Sequence, residues 1–318
     1  MQRPRIGVDL MGGDEPPSAF LDAIFGLKDE LKDTVHLVIF GSKDICAQVE
    51  TRDDPTLSSR IASGVIEMDD NPLTAIRTKK QASMPLGLKA LSSGEIDAFV
   101  TTGNTGALIA ASQLFLTNLG GIERPALLTS LPTKRGIMAV LDVGANVTST
   151  PEQLLQFAKM GIAYQLSSQI KAPKVGLLNI GVETHKGTPL QKKAFDLFSK
   201  ELGPSFLGNI EGHEAFDGNV DVLVTDGFTG NVFLKTAEGV STLHLSKLAS
   251  FAPKSAGDLK RLLHDADTAG ALLAGVGGIV IKCHGNAHPL ALANGIKKAH
   301  SLIEGSFLQK IKDTLPKV

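Results

Sequence analysis

Tryptophan is absent from this 318-residue chain, and tyrosine occurs once, at Tyr164. Stacking platforms for single-stranded nucleic acid are built from such rings, so that class of ligand is poorly served. Charge of one sign is missing too. Lys+Arg number 32 against 33 Asp+Glu, a formal charge of -1, without the basic excess that binding a nucleic-acid backbone requires. Cysteine is scarce: Cys46 and Cys283, far apart in sequence, exclude a disulfide framework and a Cys-rich zinc site. The chain therefore reads as cytoplasmic. Its longest uncharged apolar run, "GALLAGVGGIVI" at 270–281, is well short of the roughly 20 residues of a spanning helix. The apolar run after Arg3 and Arg5 is too short for a signal peptide. There is no HExxH, no EF-hand spacing and no GxSxG elbow. No metal is expected, and any nucleophile has to come from a substrate.

What is present is a globular composition, 42% hydrophobic and 20% charged. Apolar β-rich runs at 5–10, 35–40, 96–102, 126–131, 137–143, 175–180, 220–226 and 278–283 alternate with helical patterns. Most are continuous rather than alternating, as strands buried on both faces should be. At 150–166, Thr150, Pro151 and Gln153 form a helix start, with Leu155, Ala158, Ile162 and Leu166 on one face. Strand–helix alternation implies an α/β fold with a mostly parallel sheet and helices on its faces. We read 1–318 as a single α/β domain with a helical protrusion at about 240–274.

Six of these runs end in polar loops: "DLMGGDEPP", "TTGNTGA", "DVGANV", "NIGVETHKG", "TDGFTGN" and "KCHGNAH". In parallel sheets, ligands bind outside the carboxyl ends of strands. "TTGNTGA" opens a helix, so the amides of Gly103, Asn104, Thr105 and Gly106 suit an anion; an ordinary N-cap turn explains the same residues. Arg77 and Lys80 lie in a basic cluster ahead of it, which also fits a solvated helix face. Lys186, Lys282 and His284 sit at strand tips, where a cation points into the crevice. Asp9, Asp14, Asp142 and Asp226 read as caps and turn formers.

In this order, "DLMGGD", "TTGNTGAL", "LDVGANV", "NIGVETHKG", "VTDGFTGN" and "VIKCHG" resemble the bacterial phosphate acyltransferase family, PlsX, from about residue 5 to 300. The resemblance implies transfer of a long-chain acyl group from acyl carrier protein to inorganic phosphate, giving acyl phosphate for phospholipid synthesis. It implies a three-layer α/β/α fold like the isocitrate/isopropylmalate dehydrogenases and phosphotransacetylases. A homodimer without cofactor is implied as well, with membrane contact at the protrusion. On this basis Gly103–Gly106, Arg77, Lys80 and Lys186 are assigned to phosphate, with Lys282 beside them. Asn231, Thr229 and His284 are assigned to the oxyanion, and Asp226 to orienting Lys186 or His284. A short-chain phosphotransacetylase using coenzyme A, and an NAD(P)-dependent decarboxylating dehydrogenase, are the alternatives on the same scaffold.

Overall fold

The computed structural model describes residues 3–31, 34–259, 270–283 and 289–315. The chain read as one domain divides into two compact units. The first comprises residues 1–119 and 268–308, the second 120–267 and 309–318.

In the first unit the strands are β1 (Arg5–Asp9), β2 (His36–Gly41), β3 (Leu57–Ile61), β4 (Ala98–Thr101), β10 (Ala271–Ala274) and β11 (Ile279–Lys282), ordered β3-β2-β1-β4-β11-β10. All neighbours are parallel except the β10–β11 pair. Four helices precede β4: α1 (Pro17–Leu31), α2 (Lys43–Glu50), α3 (Pro72–Thr78) and α4 (Ser83–Ser92); α5 (Thr105–Phe115) then follows it. Helix α9 (Pro289–Glu304) follows β11. β1, β4 and β11 are parallel neighbours, in register at Val8, Val100 and Ile281. Their carboxyl ends therefore share one edge, which gathers three of the six loops.

In the second unit β5 (Ala126–Pro132), β6 (Ile137–Leu141), β7 (Val175–Leu178), β8 (Phe206–Ile210) and β9 (Val222–Val224) are ordered β5-β6-β9-β7-β8. The helices are α6 (Pro151–Ser167), α7 (Pro189–Leu202) and α8 (Gly227–Phe251). Helix α10 (Phe307–Thr314) runs from the end of the first unit's sequence into the second's. β6, β9 and β7 are parallel, in register at Val140, Leu223 and Gly176. Their tips carry the other three loops.

The expected start of α6 is present: Thr150 and Gln153 form a reciprocal capping box with Pro151 in the first turn. Its buried face is turned from the one expected. Leu154, Phe157, Ala158 and Gly161 are buried, while Leu155, Ile162 and Leu166 are half-buried. Gly161 sets that face, because a Cβ there would lie 2.3 Å from Val222 Cγ1. The helix can approach the sheet only where the side chain is missing.

The protrusion also differs. Helix α8 extends to Phe251 and a helical segment follows at 253–259, but 271–274 is the buried strand β10, paired with β11. Four consecutive apolar residues form a strand there because a sheet neighbour supplies the hydrogen bonds. Residues 260–269, including Lys260, Arg261, Leu262 and Leu263, lie outside the described residues.

Candidate functional site

The sequence of the second unit's tips is dictated by how tightly they pack. Asp142 follows β6 at 0% exposure. One carboxylate oxygen accepts from the backbone N–H groups of Leu127 (3.0 Å), Gly144 (3.1 Å) and Ala145 (2.9 Å). The other accepts from the backbone of Asn146 at 2.7 Å and from its side-chain amide at 2.9 Å. Burial pushes this carboxyl above the ordinary carboxylate value, against these donors, which favour the ionised form. The turn 142–146 is thus wound around a buried acid.

Helix α8 begins on top of that turn. The Gly227 N–H donates to Asn146 O at 2.9 Å, and a Cβ at Gly227 would come within 2.4 Å of the same oxygen. At Gly230 a Cβ would lie 1.9 Å from Asp142 O. Both glycines of "TDGFTGN" are therefore required by close backbone approach. Asn231, one residue on, is exposed and donates from Nδ2 to Val143 O at 3.1 Å.

Asp226 does not orient Lys186. It caps α8, accepting from the Thr229 N–H at 2.9 Å with one oxygen and from the Thr229 hydroxyl at 3.0 Å with the other. That bond also commits the Thr229 hydroxyl hydrogen expected to serve an oxyanion. A helix N-terminus leaves donors unsatisfied, and a short acid three residues upstream of Thr229 is the local partner for them. Lys186 lies in the loop after β7. Asn179 holds that loop, donating to Lys186 O at 3.3 Å, and the lysine stem packs over Gly181. The half-buried Lys186 ammonium has no partner among the described residues.

In the first unit the corresponding acid is Asp9, 1% exposed. It accepts from Met11 N at 3.0 Å and from the Thr101 hydroxyl at 2.8 Å, and Ser83 also bonds to it. Burial raises its pKa from 3.8 to about 6, against those hydrogen bonds and the attraction of Lys282. The Thr101 hydroxyl oxygen in turn accepts from the Gly103 N–H at 3.0 Å. Lys282, 6% exposed, donates to Thr102 O at 3.2 Å and to Cys283 O. It acts from beneath the loop rather than lining an open surface.

Asn104 resolves toward the capping role. Its Oδ1 accepts from Ala107 N at 3.0 Å, and its Nδ2 donates to Glu67 O (3.3 Å), Met68 O (2.9 Å) and Asp70 O (3.4 Å). With the Gly103 N–H also committed, the groups open to an anion include the N–H groups of Thr105 and Gly106. Both stand in the first turn of α5, where they have no acceptor among the described residues. Helix α3 packs against α5 and carries exposed Arg77, with exposed Lys80 just beyond its end. Lys79 of the same cluster is paired with Asp70 at 2.5 Å, which holds the Asp70 carboxyl below its ordinary value. His284 lies outside the described residues.

The first unit therefore brings Gly103–Gly106 and Lys282 together, and the second brings Lys186, Asp226, Thr229 and Asn231 to adjacent tips. Asp9, Thr101, Asp142, Asn146 and Asn179 organise both sets, and sequence reasoning left the first and third of these as turn formers. Their signal was an acid closing a continuous apolar run, as in "IGVD" and "AVLD". Cys283 is fully buried and desolvation pushes its thiol up to about 11, so it is no nucleophile. Glu211, His213 and Glu214, beyond β8, form the one group of metal-ligating type among the described residues, with donor atoms within 4.8 Å of one another. Among those residues no helix is long and apolar enough to cross a membrane.

A family model described as fatty acid synthesis protein matches residues 4–310. A phosphate acyltransferase from Chlamydia felis is 41% identical, covering 98% of this chain and 99% of its own length. One from Chlamydia trachomatis is 40% identical, with 97% of each chain covered. By structure, a phosphotransacetylase from Streptococcus pyogenes superposes with a TM-score of 0.64 at 17% identity, over 95% of this chain and 94% of that one. A phosphotransacetylase from Staphylococcus aureus gives 0.61 at 14% identity, over 94% of each. These two show the fold alone, and it is the phosphotransacetylase-like α/β fold expected from the sequence. Matched along nearly its whole length by the family model and by these relatives, the chain belongs to the fatty acid synthesis protein family, that of the phosphate acyltransferases.

Proposed function

We propose that this phosphate acyltransferase moves a long-chain acyl group from acyl carrier protein to inorganic phosphate, releasing acyl phosphate and free carrier. The observation that carries the reading is a pair of N–H groups at the start of α5 with no acceptor among the described residues, in a chain whose cysteines are both buried. Such a site holds an oxyanion and offers no thiol nucleophile, so the attacking atom belongs to the bound anion.

A phosphate oxygen attacks the thioester carbonyl, the tetrahedral oxyanion collapses, and the carrier sulfur leaves as thiolate. A thiol of pKa about 8.5 departs without a strong general acid. The protein's task is then positioning and charge stabilisation. We assign phosphate to the N–H groups of Thr105 and Gly106, with Arg77 and Lys80 as cations on the neighbouring face. Lys186 and Asn231 are assigned to negative charge that develops during transfer, and His284 retains the same assignment.

The same proposal includes a homodimer working in the cytoplasm with peripheral membrane contact. The exposed Val240, Leu243 and Phe251 along the distal part of α8, with Lys254 just beyond, suit an acidic carrier or an anionic lipid surface. The test is incubation with long-chain acyl carrier protein and phosphate, trapping acyl phosphate with hydroxylamine. Hydroxamate that forms equally without phosphate would refute the reaction. A preference for acyl-coenzyme A over the acylated carrier would move the assignment to a phosphotransacetylase.

A further inference from the structure

One peptide unit in the first unit is held at both ends. The carbonyl of the Thr102–Gly103 peptide accepts from Lys282 Nζ at 3.2 Å, and its N–H donates to Thr101 Oγ at 3.0 Å. A peptide group is planar and rigid, so two contacts on its opposite edges fix its rotation. The polarity of the second contact is also fixed. A threonine hydroxyl has a single hydrogen, and Thr101 gives it to Asp9 at 2.8 Å, leaving a lone pair for Gly103. Asp9, in its ionised form, can only accept.

Downstream the same segment is pinned again, by Asn104 on Ala107 N and on the carbonyls of residues 67, 68 and 70. Between these anchors lie the N–H groups of Thr105 and Gly106, which have no acceptor among the described residues. A cap alone would require none of the upstream machinery, since Asn104 already caps α5 through the Ala107 N–H. A buried acid and a buried lysine are costly devices for holding a loop that apolar packing could hold.

We propose that Thr101 is a positioning residue: backed by Asp9 and opposed by Lys282, it clamps the Thr102–Gly103 peptide and thereby aims the Thr105 and Gly106 N–H groups at phosphate. The inference rests on the transferase reading above, with phosphate at the start of α5. It predicts that the clamp governs affinity for phosphate and leaves affinity for the acyl donor alone.

The test compares the full-length protein with Thr101→Val, which keeps the shape and loses the hydroxyl, and Thr101→Ser, which restores it. Initial rates are measured against inorganic phosphate at saturating acyl carrier protein, and the reverse. Thr101→Val is expected to raise the KM for phosphate about tenfold or more while the acyl-donor KM stays within about twofold. Thr101→Ser should return the phosphate KM to within about threefold of the parent. An unmoved phosphate KM in Thr101→Val, a parallel loss for both substrates, or no rescue by serine would overturn the clamp. Should Thr101→Val fail to fold, Asp9→Asn carries the same expectation. A parent protein whose rate does not depend on phosphate would overturn the transferase reading and the clamp together. Saturation by phosphate with an unmoved variant overturns the clamp alone.

Discussion

Asp9→Asn is expected to stabilise the protein at pH 8 and destabilise it at pH 4. The carboxyl is buried, and burial raises its pKa from 3.8 to about 6. A raised native pKa means that the folded state binds the proton more tightly than the unfolded chain. The stability contributed by neutral Asp9 is therefore complete below pH about 3.8 and lost as pH rises through about 6. At 1.36 kcal/mol per pH unit the whole interval amounts to about 3 kcal/mol, gone by pH 8. At pH 4 only about 0.5 kcal/mol of it has been lost.

Asparagine escapes this cost at any pH. It gives up about 1–2 kcal/mol everywhere, because its amide cannot accept from both the Met11 N–H and the Thr101 hydroxyl. The net is a gain of about 1–2 kcal/mol at pH 8 and a loss of about 1 kcal/mol at pH 4. Urea unfolding of both proteins at the two pH values reads the difference directly, and hydrogen exchange at β1 and β4 amides localises it. A change of the same sign and size at both pH values would refute the reasoning.

Other outcomes follow from the same geometry. Lys186→Ala and Asn231→Ala should each lower kcat about tenfold or more with an unchanged circular dichroism spectrum, and near-parental turnover in both would remove them from the reaction. Gly230→Ala should cost about 3 kcal/mol or more in urea unfolding, because its Cβ would meet a backbone oxygen that cannot swing aside. Gly239→Ala, in the same helix with nothing within 4 Å, should instead gain about 0.5–1 kcal/mol. Asp142→Ala would strip an acceptor from five N–H bonds and should cost at least about 3 kcal/mol, visible as a lower urea midpoint.

Much of the architecture was legible in the chain. Each of the eight apolar runs contains a strand, because burial on both faces demands continuous hydrophobicity whatever the neighbours are. The start of α6 was legible for a local reason: its cap, proline and glutamine act within four residues. Strands β3 and β8 were missed. Both lie at sheet edges, where "LSSRI" and "FLGNI" are half-exposed and need no apolar run. β10 was read as helix because four apolar residues fit either period, and only pairing with β11 decides between them.

For the site, the sequence by itself located the strand tips, since a parallel sheet places every βα loop at the carboxyl edge and glycines mark where backbone must approach closely. Tertiary structure alone decided which groups are spent and which remain open. Asn104 and Asp226 cap their own helices and the Thr229 hydroxyl is spent on Asp226, while the N–H groups of Thr105 and Gly106 and the Lys186 ammonium have no partner among the described residues. The reason is that a donor's partner is set by distance in space. Asp9 and Thr101 are 92 residues apart in the chain and 2.8 Å apart in the fold.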